Sequence, residues 1–305
     1  MEVLKIGTRK SPLALAQTRY VINELSSKHS GLLFEVNPIQ TEGDIRISSA
    51  EPFQNNKSAF TRNIENQLLS GKIDVAVHSL KDLPDDNTAG LRIGSIPQRL
   101  DARDVFISET VDKISNLPPQ AIVGTSSIRR KAQLKAGNSN IRIKEIRGNV
   151  ETRISKIGSG YNGIILAAAG LFRLNLQTKI REFLPFDFML PAPGQGALAI
   201  QIRSDDEEIG RIVKSIENEN DRITTSAERS FSRRLGGDCN TPLAAYAKIH
   251  KDTLTLTGLI ASRGGDRIIR DQIESSISSP EEVGVRLAER LLKKGGDHLL
   301  KVSRN

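Results

Sequence analysis

Two stretches of this 305-residue chain concentrate side chains able to hold or move charge. Between residues 121 and 160 stand Arg129, Arg130, Lys131, Lys135, Arg142, Lys144, Arg147, Arg153 and Lys156, against only Glu145 and Glu151, a local excess of seven positive charges. A solvated basic face is one reading of such a run. An anion site is the sharper one, because Thr125-Ser126-Ser127 sits where a strand gives way to a helix. Backbone N–H groups and hydroxyls at such a joint hold carboxylate or phosphate, and arginine adds planar, two-pronged contacts.

The second stretch is Val77-His78-Ser79-Leu80-Lys81-Asp82, directly after an apolar strand. Ligands of parallel α/β sheets bind at the carboxyl ends of strands. An aspartate beside a lysine there suits acid–base chemistry or stabilisation of a cation; an ordinary charged loop is the plain alternative. His78 by itself reads as a hydrogen-bonded structural histidine. Arg9 and Ser11 occupy a similar joint, and Arg173 lies just past another strand, so four joints bearing polar or cationic groups suggest one cleft.

Cys239 is the single thiol, in the polar loop Asp238-Cys239-Asn240-Thr241-Pro242 after a helix stop. The helix C-terminus and Asp238 both disfavour thiolate, so it suits a protease-type nucleophile poorly. It could still anchor a reactive electrophile. The histidines, at 29, 78, 250 and 298, are too scattered for metal-ligand spacing, and no metal is expected. There is no Walker A loop, and Gly194-Gln195-Gly196 lacks the third glycine of a dinucleotide fingerprint.

The elements that must position these groups alternate. Val3–Thr8, Phe34–Gln40, Ile73–Val77, Ala121–Gly124, Gly163–Ala168 and Ala197–Ile202 read as strands, and Phe60–Leu69 as a helix. Ser11-Pro12 is a helix start, with serine as N-cap and proline at the first helical position. This alternation predicts βαβ units and parallel sheets. The last ninety or so residues differ. A helix over 220–235 stops at Gly236-Gly237, and Leu243–Ile249, Thr253–Ala261 and Arg267–Ile273 predict an antiparallel sheet. Ser279-Pro280-Glu281-Glu282 forms a capping box opening a helix to Lys294, which Gly295-Gly296 ends. Gln98–Arg103 and Leu190–Gly196 read as crossings between domains.

Composition bounds the function. With 37% hydrophobic and 26% charged residues the chain is neither disordered nor a membrane bundle. A net charge of +8 calls for an anionic partner. Aromatics at 4% and no tryptophan leave few platforms for stacked bases, so nucleic acid is a weak candidate. One cysteine fits a reducing compartment, the N-terminus carries no signal-peptide pattern, and the longest apolar run, Gly163–Phe172, falls far short of the ~20 residues of a membrane span. These features predict a cytoplasmic protein without membrane association.

Taken in order, five stretches resemble the porphobilinogen deaminases (hydroxymethylbilane synthases): residues 8–15 (TRKSPLAL), 77–82 (VHSLKD), 123–130 (VGTSSIRR), 147–153 (RGNVETR) and 190–197 (LPAPGQGA). The resemblance runs along nearly the whole chain. It implies an α/β fold with two domains like type II periplasmic binding proteins around a cleft, plus a C-terminal α+β domain with a three-stranded antiparallel sheet. The implied boundaries are 1–97 with 197–216, then 98–196, then 217–305. It implies a monomeric transferase of tetrapyrrole and haem biosynthesis that deaminates porphobilinogen and joins four units head to tail into hydroxymethylbilane, releasing ammonia. It further implies one dipyrromethane cofactor per chain, in thioether linkage to Cys239, and Asp82 as the catalytic aspartate.

Cofactor-binding positions carried over by the resemblance are Ser79, Lys81, Thr125, Ser127, Arg129, Arg130 and Arg147. Substrate-binding positions are Arg9, Ser11, Lys57, Arg153 and Arg173. The chain departs from the family at Asn55-Asn56-Lys57-Ser58, where a Gly-Gly-Lys-Gly loop is usual, and at Asp238, where glycine is common. Because each pyrrole carries an acetate and a propionate, a growing chain needs clustered arginines. The rival reading from another class is a non-catalytic anion-binding module on the same fold.

Overall fold

The computed structural model describes residues 3–41, 58–137, 140–237 and 241–304. The chain divides into two compact units, one of Met1–Leu100 with Gly196–Arg222, the other of Asp101–Gln195 with Ile223–Asn305.

The first unit holds a five-stranded sheet in the order β2-β1-β3-β10-β4. Its strands are β1 (Val3–Arg9), β2 (Leu33–Ile39), β3 (Val75–Ser79), β4 (Leu91–Ser95) and β10 (Leu198–Arg203). β1 runs parallel to β2 and β3, whereas β10 is antiparallel to both its neighbours. Helices cover both faces. α1 (Pro12–Lys28) and α6 (Glu207–Lys214) bury Val21, Leu25, Ile209 and Val213 against Leu4, Ile6, Val77 and Ile200. On the other face α2 (Ser58–Leu69) buries Ile64 and Leu68 with Ile39 and Ile73.

The second unit repeats this plan with an unrelated sequence. Its mixed sheet has the order β7-β6-β8-β5-β9. The strands are β5 (Asp104–Ile107), β6 (Ile122–Gly124), β7 (Arg142–Lys144), β8 (Gly163–Ala167) and β9 (Glu182–Phe183). β6 is parallel to β7 and β8, and β5 is antiparallel to β8 and β9. In both sheets the antiparallel strand is the first one formed after the chain changes unit. α3 (Ile128–Gly137) buries Leu134 beside Phe106, Val123 and Ile165, while α5 (Ala168–Arg173) packs Leu171 with Val105, Ile107 and Ile164 on the opposite face. A short helix, α4 (Val150–Ile154), precedes β8.

The same unit carries an antiparallel sheet β11-β12-β13 (Leu243–His250, Thr253–Ala261, Ile268–Ser276). α7 (Glu219–Arg234) and α8 (Pro280–Leu291) pack on it through Phe231, Leu287 and Leu291. Gly258 is required there: a Cβ would lie 2.7 Å from the Phe231 ring. Ala132 and Leu190 join Ala244, Leu259 and Ala261 in one small core, which ties this sheet to the layer around α3.

Three expectations change. Gly295-Gly296 does not end the C-terminal helical run: Gly295 takes φ 99° at a kink, and α9 (Asp297–Arg304) follows because Leu299 and Leu300 have core to bury into. Ser279 stands at the N-cap of α8 with Pro280 behind it, but its side chain makes no capping hydrogen bond. The run expected as strand through Ala168 stops at Ala167, and α5 begins at once.

Candidate active site

In the first unit the candidate groups cluster at one edge of the sheet. β1 and β3 are parallel neighbours, so their carboxyl ends, Arg9 and Ser79, lie on the same side. Ser11 caps α1, its Oγ accepting from the Ala14 amide at 3.3 Å, and Pro12 occupies the first turn. The Arg9 guanidinium lies 4.5 Å from the centroid of the Phe60 ring. Ser79 Oγ accepts from Gln17 Nε2 at 2.8 Å.

Lys81 and Asp82 sit on a single 3₁₀ turn, Leu80–Asp82. Burial fixes the turn. Leu80 and Leu83 are fully buried with Ile96, Ala197 and Ala199, and the Leu80 amide donates to Ala197 O at 3.0 Å. Anchored on both sides, the turn leaves Lys81 and Asp82 half-buried. Such placement holds a carboxylate in a fixed position without removing it from the reach of a ligand.

His78 is not part of this display. It is buried, and its Nε2 lies 3.1 Å from Gln201 Oε1. Gln201 Nε2 in turn donates to Glu65 Oε1 at 2.9 Å, and Thr61 Oγ1 donates to Glu65 Oε2 at 3.4 Å. Burial pushes the imidazole pKa down to about 4, opposed by the charge of Glu65 and the Gln201 hydrogen bond. A neutral, buried histidine agrees with the structural role read from the sequence.

In the second unit the carboxyl ends of β6, β7 and β8 share an edge in the same way. Thr125 is buried, its Oγ1 accepting from the Ser127 amide at 3.2 Å, and Ser127 Oγ accepts from the Arg130 amide at 3.4 Å. Past β7, Arg147 Nε donates to Glu145 at 3.0 Å and Arg153 Nε to Gly148 O at 2.7 Å. Arg173 closes α5, six residues beyond the end of β8.

Arg129 and Arg130 depart from the expectation of open guanidinium forks. Both are buried and share Asp104, which is fully buried. Arg129 Nη1 donates to Asp104 Oδ2 and to Leu190 O, each at 2.7 Å. Arg130 donates to Asp104 Oδ1 from Nη2 at 2.7 Å and from Nε at 3.1 Å, and to Ile165 O at 3.1 Å. Gln195 Nε2 adds a further bond to Asp104 Oδ1 at 2.8 Å. Burial would raise the Asp104 carboxyl, but the two guanidinium charges outweigh it and hold the group well below the usual carboxylate range. Burial pulls Arg129 down from its ordinary value, and Asp104 opposes the fall.

Asp104 carries no signal in the sequence, and Gln195, though inside the 190–197 stretch, carries none that points to Asp104. Asp101-Ala102-Arg103-Asp104 looks like surface charge, and only pairing of residues 25 and 91 positions apart buries it. Lys57 and Cys239 lie outside the described residues. No three His, Cys, Asp or Glu side chains among the described residues form a metal-binding group.

Family models match almost all of this frame: porphobilinogen deaminase, dipyromethane cofactor binding domain, over residues 4–211, and porphobilinogen deaminase, C-terminal domain, over 223–293. The chain belongs to the porphobilinogen deaminase family. A porphobilinogen deaminase of Clostridioides difficile is 46% identical over 290 residues, covering 94% of this chain and 96% of the relative. One from Thermus thermophilus is 43% identical over 302 residues, covering 98% and 99%. Among solved structures, a nutrient binding protein from Burkholderia cenocepacia bound to methionine matches 70% of this chain and 91% of its own at 14% identity, with a TM-score of 0.45.

The donor set suits the deaminase cofactor. A dipyrromethane carries four carboxylates. The second unit holds two hydroxyls and the start of α3 at the end of β6, and five of the six carried-over arginines, with Arg129 Nε buried and without a hydrogen-bond partner among the described residues. No described helix is long and apolar enough to cross a membrane.

Proposed function

We propose that this chain deaminates porphobilinogen and joins four units head to tail into hydroxymethylbilane, with Cys239 anchoring the dipyrromethane primer. When bound, that group supplies the nucleophilic pyrrole carbon from which the product grows. The observation that carries the reading is the turn Leu80–Asp82, which fixes a half-buried aspartate beside a lysine at the edge of a mixed sheet where the parallel strands β1 and β3 end. Loss of ammonia from the substrate breaks its aminomethyl C–N bond and leaves an electron-poor azafulvene with positive character at the pyrrole nitrogen. The Asp82 carboxylate stabilises that charge, and preorganised electrostatics of this kind is the largest single contribution in many enzymes.

Thr125, Ser127, Arg129, Arg130 and Arg147, with Ser79 and Lys81, hold the carboxylates of the primer. Arg9, Ser11, Lys57, Arg153 and Arg173 hold those of incoming substrate. Charge-assisted bonds of the arginine–carboxylate type are the strong ones, and each acetate or propionate that enters needs one. Residues 1–97 with 197–216, 98–196 and 217–305 act as the three domains of this enzyme, which works as a cytoplasmic monomer.

Intact mass tests the assignment. Protein purified from cells that make porphobilinogen should weigh more than the bare chain by one dipyrromethane, and the increment should survive denaturation and reductant. Cys239→Ser should be folded, unmodified and inactive. Turnover by protein of bare-chain mass would overturn the covalent primer.

A further inference from the structure

The geometry points to Asp104 as a positioning residue for the anion site, a fixed counter-charge that aims Arg129 and Arg130 at the carboxylates they bind. This rests on the reading of those arginines given above.

Topology places the residue. β5 runs antiparallel to β8, with Asp104 paired to Ala167, so the first residue of β5 lies at the edge where β6, β7 and β8 end. The equivalent position in the other mixed sheet is the first residue of β10, Leu198, paired to Ser79 at the end of β3. Leu198 is buried in an apolar core. The same strand position is thus filled by leucine in the other sheet, so strand pairing itself does not demand a charge here.

Nor is the charge an economical stabiliser. A buried ion pair is often no better for stability than an apolar replacement of like volume. This one is also unbalanced: one carboxylate meets two guanidinium groups, leaving a net charge of +1 in a trio whose side chains are at most 8% exposed. Arg129 Nε is buried with no acceptor among the described residues. An unbalanced cationic cluster with an unspent donor is complete only when an anion joins it. Asp104 sets both the geometry and the net charge: its Oδ1 locks Arg130, its Oδ2 holds one nitrogen of Arg129, and Gln195 Nε2 fixes Oδ1 while also donating to Ala102 O at 2.7 Å.

The test compares holoenzyme of the wild type, Asp104→Asn and Asp104→Glu for unfolding, kcat, KM and inhibition by chloride. Residues that orient a metal's ligands are typically worth about 10–100-fold; on the same scale for a residue that orients anion-binding arginines, Asp104→Asn should fold and lose about 10–100-fold in kcat/KM. With the trio at +2, its remaining activity should be markedly more sensitive to chloride than the wild type's, because a free anion now completes the site. Asp104→Glu, charged but displaced by one methylene, should recover part of kcat/KM and keep wild-type chloride sensitivity.

Activity of Asp104→Asn within threefold of wild type would overturn the role. So would a loss with unchanged chloride sensitivity and no recovery in Asp104→Glu, which would mark a structural group only. If Asp104→Asn does not fold, Asp104→Glu decides: a fall in kcat/KM of fivefold or more in folded protein supports positioning, and unchanged kinetics refute it. If neither folds, Asp104 is a folding element and the inference fails. Arg130→Leu separates the underlying reading. Full primer loading and turnover in that variant would remove the arginine assignment itself, whatever Asp104 does.

Discussion

Lowering the pH from 7 to 5 should destabilise the first unit through His78. The imidazole is buried between the sheet and α2, with Glu65, Arg9 and Asp82 as the charges acting on it, and burial dominates. Its pKa falls from 6.5 to about 4 on folding, so between those values the unfolded chain binds more protons and stability drops as acid is added. The full loss, reached below about pH 4, is roughly 3 kcal/mol at about 1.4 kcal/mol per pH decade. Between pH 7 and pH 5 the linkage relation takes about 2 kcal/mol of it.

Carboxylates act elsewhere on the scale. Asp101, Asp104, Glu217 and Asp271 are all held low by arginine or lysine partners against the opposing effect of burial. Their stabilisation is nearly complete above about pH 5 and fades progressively below it. Urea unfolding of the wild type and His78→Gln at both pH values isolates the histidine, since every other titrating group cancels in the difference. Glutamine keeps a side-chain N–H for Gln201 and does not titrate. The wild type should lose about 2 kcal/mol more than His78→Gln over this interval. Equal losses in the two proteins would refute a neutral, desolvated His78.

Asp82→Asn keeps the shape of the group and removes its charge, and kcat of the loaded enzyme should fall about 10²–10³-fold, with Asp82→Glu damaged less; steady-state assay with porphobilinogen settles it, and a near-wild-type rate for Asp82→Asn would contradict the role. Arg147→Leu and Arg153→Leu should each lose about 1.5–3 kcal/mol of charge-assisted binding. Mass spectrometry during turnover should then show chains stalled at defined lengths, and a wild-type distribution of species would refute their part in holding carboxylates.

The sequence by itself determined the local features. Apolar runs placed β1, β3, β6, β8 and β10 to within a residue or two at most ends, and Ser11-Pro12 marked the start of α1 because a cap is made from neighbouring residues. The same locality exposed the candidate chemistry: a strand end followed at once by Ser79, Lys81 and Asp82, or by Thr125 and Ser127, is legible without a fold. Short strands such as β7 and β9, three and two residues long, left no period to read.

Only the tertiary structure decided what those groups are joined to. The two mixed sheets share one strand order while their sequences show no repeat, because a topology can be satisfied by any residues that are apolar at the right positions. Arg129 and Arg130 read as open forks and proved to be half of a buried cluster. Their partner Asp104 stands 25 and 26 residues away, on a strand that the chain lays antiparallel beside β8. His78 is bound through Gln201, 123 residues away, to Glu65. Hydrogen bonding and desolvation depend on what folding brings within about 3 Å, and neither distance nor dielectric is written in the order of residues along a chain.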